Sequence, residues 1–158
     1  MNAATWSPDG RRIASGSEDD TVQVWDSGTG QCLFSYKRHS NGVTAVAWSL
    51  NGQRLTSASQ YGDSMQVWNA RTGQHLLSLP AGYKVRDVAW SPDGSKIASS
   101  FGEWDIGGAN VVVFNATTGQ RLFTYTHSND VLAVAWSPDG SKLASGADDG
   151  TVQVWNST

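Results

Sequence analysis

A turn signal of six residues recurs four times along the chain, and it constrains the fold more than any other feature. Its copies read TWSPDG, AWSLNG, AWSPDG and AWSPDG. The Trp of each copy stands at position 6, 48, 90 or 136, which gives nearly constant spacing. A period of about 40 residues indicates an array of units that bury their apolar faces by stacking on one another.

Each unit predicts four β-strands joined by short connections. The first strand is a continuous apolar run, as in VTAVAW (43–48), which is typical of a strand buried on both faces. Ser-Pro-Asp-Gly then closes a hairpin, because Pro presets φ, Asp caps the turn and Gly accepts a left-handed conformation. A second strand, a loop, a third strand, a Thr-Gly-Gln turn and a fourth strand follow. No segment has a helical period, so the sequence predicts an all-β protein.

Composition and charge argue against several classes of function. The formal net charge is −3, and no basic run is longer than two residues, as in Lys37-Arg38, which argues against a nucleic-acid partner. Cys32, the single cysteine, cannot form an internal disulfide. No apolar stretch approaches membrane-spanning length and no signal-peptide pattern follows Met1, so we expect a cytoplasmic protein without a membrane partner. Neither a phosphate-binding glycine loop nor a zinc pattern occurs, so no cofactor and no metal are predicted.

Over its whole length the chain resembles the WD-repeat (WD40) β-propeller family. The resemblance rests on the VAWSPDG segments, on a Trp-Asp or Trp-Asn dipeptide in three units (25–26, 68–69 and 155–156), and on a linker His in two. It implies four-stranded blades around an axial channel, with the first strand innermost and no catalytic role for the fold. We expect one domain, 1–158, that forms a half ring whose last blade lacks its outer strand. The expected blades are residues 1–40, 41–82, 83–128 and 129–158.

The resemblance also implies a buried polar chain in each blade, formed by His, Ser or Thr, Asp and the dipeptide Trp. A buried indole N–H needs an acceptor, and a hydroxyl linked to an imidazole and a carboxylate supplies one. Because such a set recurs from blade to blade beside a Trp, we predict a structural role and no enzyme activity, although Ser, His and Asp together also suggest a hydrolase. The expected members are His127, Ser145, Asp149 and Trp155 in the fourth unit, His39, Ser57, Asp63 and Trp68 in the second, and Ser15, Asp19 and Trp25 in the first.

The third unit departs from this pattern. Ala81 stands at the His position and Phe114 at the Trp position. We interpret the joint loss as an all-apolar replacement that is nearly neutral, because a His without its network would be a buried polar group without a partner. The loop between the second and third strands lengthens here to FGEWDIGGAN (101–110). Three interpretations remain open for Trp104: it plugs the gap left by the missing Trp, it contacts a partner, or it has neither role.

A protein or peptide partner is expected on the face that carries the irregular loops. Because strands alternate in direction, both kinds of regular turn lie at one end of each blade, and the varied loops and linkers lie at the other. Variable loops on a rigid scaffold are common binding sites. The candidate interaction residues are Tyr61, Tyr83, Lys84, Phe101, Glu103, Trp104, Asp105, Asn129 and Asp130.

An array of four blades leaves one sheet face uncovered at each end, on the first and on the last blade. We call these the outer faces, and we expect the apolar patch on each to be covered. The chain begins at an inner strand and ends before a fourth outer strand. These expectations predict a homodimer in which two copies, head to tail, complete an eight-bladed ring. The predicted function is a non-catalytic interaction scaffold. Two alternatives remain open: a purely structural self-assembling half-propeller, or a C-terminal fragment of a larger kinase- or NTPase-linked protein, as in bacterial relatives with such arrays.

Overall fold

The computed structural model describes residues 1–61, 65–80, 84–102 and 110–157. This part of the chain contains fifteen β-strands and no helix, and therefore no helix able to cross a membrane. The strands form four sheets in chain order, which we name blades 1 to 4. Blade 1 contains β1 (Ala3–Trp6), β2 (Arg12–Gly16), β3 (Val22–Asp26) and β4 (Cys32–Tyr36), and blade 2 contains β5 (Val43–Trp48), β6 (Arg54–Ser59), β7 (Met65–Asn69) and β8 (His75–Leu79). Blade 3 contains β9 (Val85–Trp90), β10 (Lys96–Phe101), β11 (Asn110–Asn115) and β12 (Arg121–Thr126), and blade 4 contains β13 (Val131–Trp136), β14 (Lys142–Ala147) and β15 (Val152–Asn156).

In every blade each strand pairs with its neighbours in the sequence, so the sheets are antiparallel meanders. The turns after the first and third strands therefore lie at one end of the blade, which we call the turn face. The loops after the second strands and the linkers between blades lie at the other end, the loop face. The predicted all-β class is confirmed, and the half ring stays a prediction.

Side chains close the recurrent turn after the first strand. In blade 1 the Ser7 hydroxyl donates to the Asp9 carboxylate (2.6 Å) and accepts the backbone N–H of Arg12 (2.9 Å). Gly10 has a φ of 69°, the left-handed conformation that favours glycine. The same hydroxyl bond recurs in the other three blades, with Asn51 in place of the aspartate in blade 2. These turns hold the first two strands of each blade in one register.

The second residue of the Trp-Asp or Trp-Asn dipeptide caps the next turn. The Asp26 carboxylate accepts the backbone N–H groups of Gly28 (3.0 Å) and Thr29 (2.8 Å). The side-chain oxygens of Asn69 and Asn115 accept the equivalent pairs. The dipeptide thus joins two functions, since its Trp packs inside the blade while its polar residue fixes the turn to the outer strand.

Each hydrophobic core lies between two blades. Between blades 1 and 2, Val22 and Val24, both fully buried, pack in one cluster with Val43 and Trp48. Two more clusters join blade 2 to blade 3 and blade 3 to blade 4. A blade therefore buries its apolar faces only against its neighbours, as expected for a repeat array.

Candidate interaction surfaces and buried polar chains

Blade 2 contains a buried polar chain formed by three of the residues selected from the sequence. The Ser57 hydroxyl accepts the indole N–H of Trp68 (2.8 Å) and lies 2.8 Å from Nε2 of His39. Ser57 is 0% exposed and Trp68 is 2% exposed. Because His39 belongs to the linker before β5, the chain joins that linker to β6 and β7. The expected acid, Asp63, lies outside the described residues.

Blade 4 repeats this geometry. The Ser145 hydroxyl accepts the indole N–H of Trp155 (2.7 Å) and lies 2.7 Å from Nε2 of His127. Burial lowers the pKa of His127, while the negative charge of Asp149 acts in the opposite direction. Asp149 accepts the hydroxyl of Thr151 (2.6 Å), and such bonds hold the pKa of this carboxyl well below its usual range. The acid therefore caps the loop between β14 and β15 and influences the His through its charge.

Blade 1 contains the Ser and the Trp of the chain. The indole N–H of Trp25 donates to the Ser15 hydroxyl (2.9 Å), and Asp19 accepts the Thr21 hydroxyl (2.6 Å) as its counterpart does in blade 4. In all three blades the Ser hydroxyl is buried and occupied by an indole. A nucleophilic Ser must instead be accessible beside an oxyanion hole. These serines therefore connect neighbouring strands within their blades.

Blade 3 keeps a polar group that the sequence interpretation did not consider. Ser99 stands at the position of Ser57, while Phe114, fully buried, replaces the Trp. The hydroxyls of Ser99 and Ser100 are buried and have no hydrogen-bond partner in the described part of the chain. The replacement is therefore not all-apolar, which corrects that interpretation. Ala81, at the His position, lies outside the described residues.

The structure describes five of the nine candidate interaction residues. Tyr61 follows β6 and is 47% exposed. Lys84 is half-buried before β9 and has a φ of 59°, which is uncommon for a residue other than glycine. Phe101 is only 3% exposed and belongs to the core between blades 2 and 3. Its predicted place on the interaction surface is wrong, because the last residue of β10 directs its side chain into that core.

Two further candidates are linker residues that already have partners within the chain. The side-chain amide of Asn129 donates to Asp149 (3.0 Å), and Asp130 forms an ion pair with Arg86 (2.8 Å). Both linker residues are half-buried. They shape the loop face and present only part of their side chains to solvent. The other candidates lie outside the described residues: Tyr83, Glu103, Trp104 and Asp105.

A set of contacts between blades, which we call the seam contacts, was missed by the sequence analysis. The Trp of the second, third and fourth turn signals donates its indole N–H to a carbonyl of the preceding inner strand. The pairs are Trp48 with Thr5 (3.3 Å), Trp90 with Ala47 (3.2 Å) and Trp136 with Ala89 (3.2 Å). A cation of the preceding blade lies over each ring, with Arg12 at 4.8 Å from the centroid of Trp48, Arg54 at 5.1 Å from that of Trp90 and Lys96 at 5.9 Å from that of Trp136.

The same cations also bind a carbonyl of the following blade. Their partners are Ala70 for Arg12 (2.6 Å), Ala116 for Arg54 (3.0 Å) and Ser157 for Lys96 (3.0 Å). One signal in the sequence points to this arrangement, because a basic residue stands at the same distance after the Trp in all four copies. Those residues are Arg12, Arg54, Lys96 and Lys142.

At the turn face the inner strands border a cleft of about 560 Å³. Its walls include the seam tryptophans together with Pro8, Leu50, Pro92 and Pro138 from the recurrent turns. Leu50 is 63% exposed there. The cleft lies where the inner strands of all four blades meet, which is the position expected for the mouth of an axial channel.

A family model described as "WD40: WD domain, G-beta repeat" matches residues 1–26, 30–69, 73–105 and 119–156. The Periodic tryptophan protein 2 homolog of Caenorhabditis elegans is 41% identical over 59 residues, which are 37% of this chain and 6% of that protein. The B-type cell cycle switch protein ccs52A of Medicago truncatula is 32% identical over 99 residues, 61% of this chain and 21% of that protein. A chain in the crystal structure of the Mitotic Checkpoint Complex matches with a TM-score of 0.87 and 29% identity, over 98% of this chain and 48% of that chain.

This chain thus spans a minor part of those two curated relatives and about half of the solved chain. The second family match, 30–69, begins just before the outer strand of blade 1 and ends with the third strand of blade 2. A repeat in this sense connects two blades, which agrees with cores and seam contacts that also lie between blades. The four matches together cover most of the residues, and the chain therefore belongs to the WD-repeat family, with its four sheets as blades of a β-propeller.

Proposed function

We propose that this chain is a non-catalytic scaffold that binds a protein or peptide at its loop face. The contrast between the two ends of the blades carries the proposal. On the turn face four copies of one turn repeat the same hydroxyl bond. On the loop face the connections differ in length and composition between blades. Different loops held by rigid, repeated sheets are a common basis for selective binding.

The relatives support a role in assembly. The matched structure is that of a multiprotein complex, and one relative is a cell cycle switch protein. By analogy, the loop face of this chain would present Tyr61 to a partner, since tyrosine offers a large amphipathic contact area and is enriched at binding hot spots. The buried serines of the polar chains supply no exposed nucleophile, which favours binding over catalysis.

A second candidate function is self-assembly, in which the scaffold completes an eight-bladed propeller as a homodimer. The observation that favours it is the exposure of both outer faces, where Trp6 is 61% exposed and Val152 is 71% exposed. A purely structural unit would need only this association and no other partner. A cytoplasmic location also remains a proposal.

Capture from a lysate of the source organism tests the loop face. Wild type, Tyr61→Ser and Leu50→Ser are immobilised at equal density, and bound proteins are quantified by mass spectrometry. Leu50 is the matched control because it is a comparably exposed apolar side chain on the turn face. We expect a protein that wild type and Leu50→Ser retain equally and that Tyr61→Ser retains at least about five-fold less. Equal retention by all three variants would contradict binding at this face, and capture of the chain alone would favour pure self-assembly.

A further inference from the structure

The two outer faces of the array carry the separate halves of one seam contact. Trp6 of blade 1 is 61% exposed, whereas its equivalents Trp48 and Trp90 are each 8% exposed beneath the preceding blade. At the other end of the array, Lys142 stands where Lys96 stands in blade 3, and it is exposed. Among the described residues, blade 1 therefore presents a ring without a cation over it, and blade 4 presents a cation without a ring beneath it.

The apolar parts of the two faces are complementary in the same sense. Val152 and Val154 of blade 4 are 71% and 61% exposed, while their equivalents in blade 1, Val22 and Val24, are both 0% exposed because blade 2 covers them. Gly146 also has open space at its Cβ position. A shallow cavity of about 140 Å³ lies over this part of blade 4.

The covered seam shows what fits such a cavity. Gly16, the equivalent of Gly146, lies against the side chains of Val43 and Val46, the first and fourth residues of the next inner strand. The corresponding residues of blade 1 are Met1, 82% exposed, and Ala4, also exposed. Met1, just before β1, and Ala4, within it, therefore stand at the positions whose equivalents fill this space at the covered seam.

We infer that the outer face of blade 4 docks onto the outer face of blade 1 in a second copy of this chain. This inference rests on the self-association proposed above and identifies its surface. By equivalence with the three seams, Lys142 lies over the ring of Trp6 and donates to the carbonyl of Ser27, which stands where Ser157 receives Lys96. The indole N–H of Trp6 donates to the carbonyl of Ala135.

A second copy is the occupant that supplies the Trp6 ring, the Ser27 carbonyl and the side chains of Met1 and Ala4 at the equivalent positions. Pairing two identical faces would place Trp6 against Trp6 and leave both lysines without a ring, so the faces combine head to tail. Such heterologous contacts form a closed ring when the rotation per blade is right and an open chain when it is not. Two closed seams with roughly 500 Å² on each of four surfaces would bury about 2,000 Å² in total, the size of a stable interface.

Complementation between two variants of the whole chain tests this arrangement. Trp6→Glu blocks the face of blade 1, and Val154→Glu blocks the face of blade 4. Leu76→Glu is the matched control, because Leu76 is an exposed apolar residue (44%) on the outer strand of blade 2 and belongs to neither face. The measurements are light scattering at micromolar concentration and far-ultraviolet circular dichroism of each variant.

We expect wild type and the control to have twice the 16.9 kDa mass of one chain. Each blocked variant alone should have the mass of a single chain and should retain the β-strand signal in circular dichroism. An equimolar mixture of the blocked variants should recover dimers, because one intact seam remains between them. Lys142→Ala, a milder change at the same face, should weaken association about five- to ten-fold without affecting folding.

Three results would overturn the inference. The first is a monomeric wild type, and the second is a mixture of the blocked variants that stays monomeric. The third is a blocked variant that dimerises alone, which would indicate pairing of identical faces. A series of larger oligomers that either blocked variant reduces to monomer would support the seam. That same result would contradict the eight-bladed ring, so the two proposals fail separately.

Discussion

Replacing one serine by alanine should destabilise the chain in blade 2 but not in blade 3. Ser57 and Ser99 occupy the same position of the second strand and are both fully buried. The Ser57 hydroxyl holds the indole of Trp68 and the imidazole of His39, each at 2.8 Å. The Ser99 hydroxyl has no partner within the described residues. The same substitution therefore breaks a hydrogen-bond network in blade 2, whereas in blade 3 it removes a buried hydroxyl that has no partner among the described residues.

The magnitudes follow from the partners left behind. Ser57→Ala leaves a buried indole N–H without its acceptor, and a buried unsatisfied group costs about 1–3 kcal/mol. Loss of the bond to His39 adds to this, so we expect a decrease of about 2 kcal/mol in the free energy of unfolding. For a chain of this length that corresponds to a fall of roughly 4–8 °C in Tm. Ser99→Ala should leave Tm unchanged or raise it by up to about 3 °C, because the desolvated hydroxyl is gone.

Differential scanning calorimetry of the two variants and wild type, in one buffer and at one concentration, measures both shifts. Equal concentrations matter because association raises Tm by mass action. Ser145→Ala serves as a second positive control, since Ser145 holds Trp155 and His127 as Ser57 holds its partners. If Ser99→Ala lowers Tm as much as Ser57→Ala does, the reasoning from partner loss is refuted.

Two more predictions concern the turns and the seams. Hydrogen bonds, above all those from the Ser91 and Ser137 hydroxyls, lower the pKa of Asp93 and Asp139 to about 2. The stability that these two carboxylates contribute is therefore present above pH ~4 and is lost as the pH falls from about 4 to about 2. The double variant Asp93→Asn/Asp139→Asn, which mimics the natural turn of blade 2, should show a smaller drop in Tm between pH 5 and pH 2.5 than wild type, and an identical drop would contradict this. Arg54→Met should lower the free energy of unfolding, measured in urea, by about 1–2 kcal/mol, because it removes a hydrogen bond to a carbonyl and a cation over an aromatic ring. Arg54→Lys should lose less than half of that free energy, since Lys96 fills the same position at the next seam. An equal loss in both variants would show that the cation over the ring contributes nothing.

Regular features of the fold were predictable from the sequence because they repeat. The turn signal predicts hairpins at fixed intervals, and the structure closes each of them with the same hydroxyl bond. The resemblance to WD repeats likewise implied the contact of Ser with Trp across neighbouring strands, which the structure has in Ser145 and Trp155. Local chemistry and strand alternation determine these features, so one sequence carries enough information for them.

Features that depend on how blades stack were harder to predict. The pairing of Arg12 with Trp48 joins residues of different units. The constant spacing from Trp to the basic residue within a unit therefore does not show which ring the cation covers. Phe101 failed as a surface candidate for a related reason. Its loop position suggested exposure, but the neighbouring blade covers it in the core. Burial in a repeat array is decided between units, whereas sequence patterns describe a unit by itself.

Blade 3 illustrates how contacts between units can take over from contacts within one. It lacks the indole of the buried polar chain, yet two of its side chains reach blade 4. Arg86 forms an ion pair with Asp130 (2.8 Å), and Asp87 accepts the backbone N–H of Val134 (3.0 Å).

Asp87 stands where the inner strands of blades 2 and 4 carry alanine, and burial raises the pKa of its carboxyl. A partly buried carboxylate is costly to desolvate unless donors compensate it, and its donors here are the N–H groups of Val134 and Val88. One of these two donors, the N–H of Val134, is present only while blade 4 is packed against blade 3. Blade 3 thus depends on its neighbour for polar as well as apolar partners, and the stability of the array resides in its seams more than in its separate sheets.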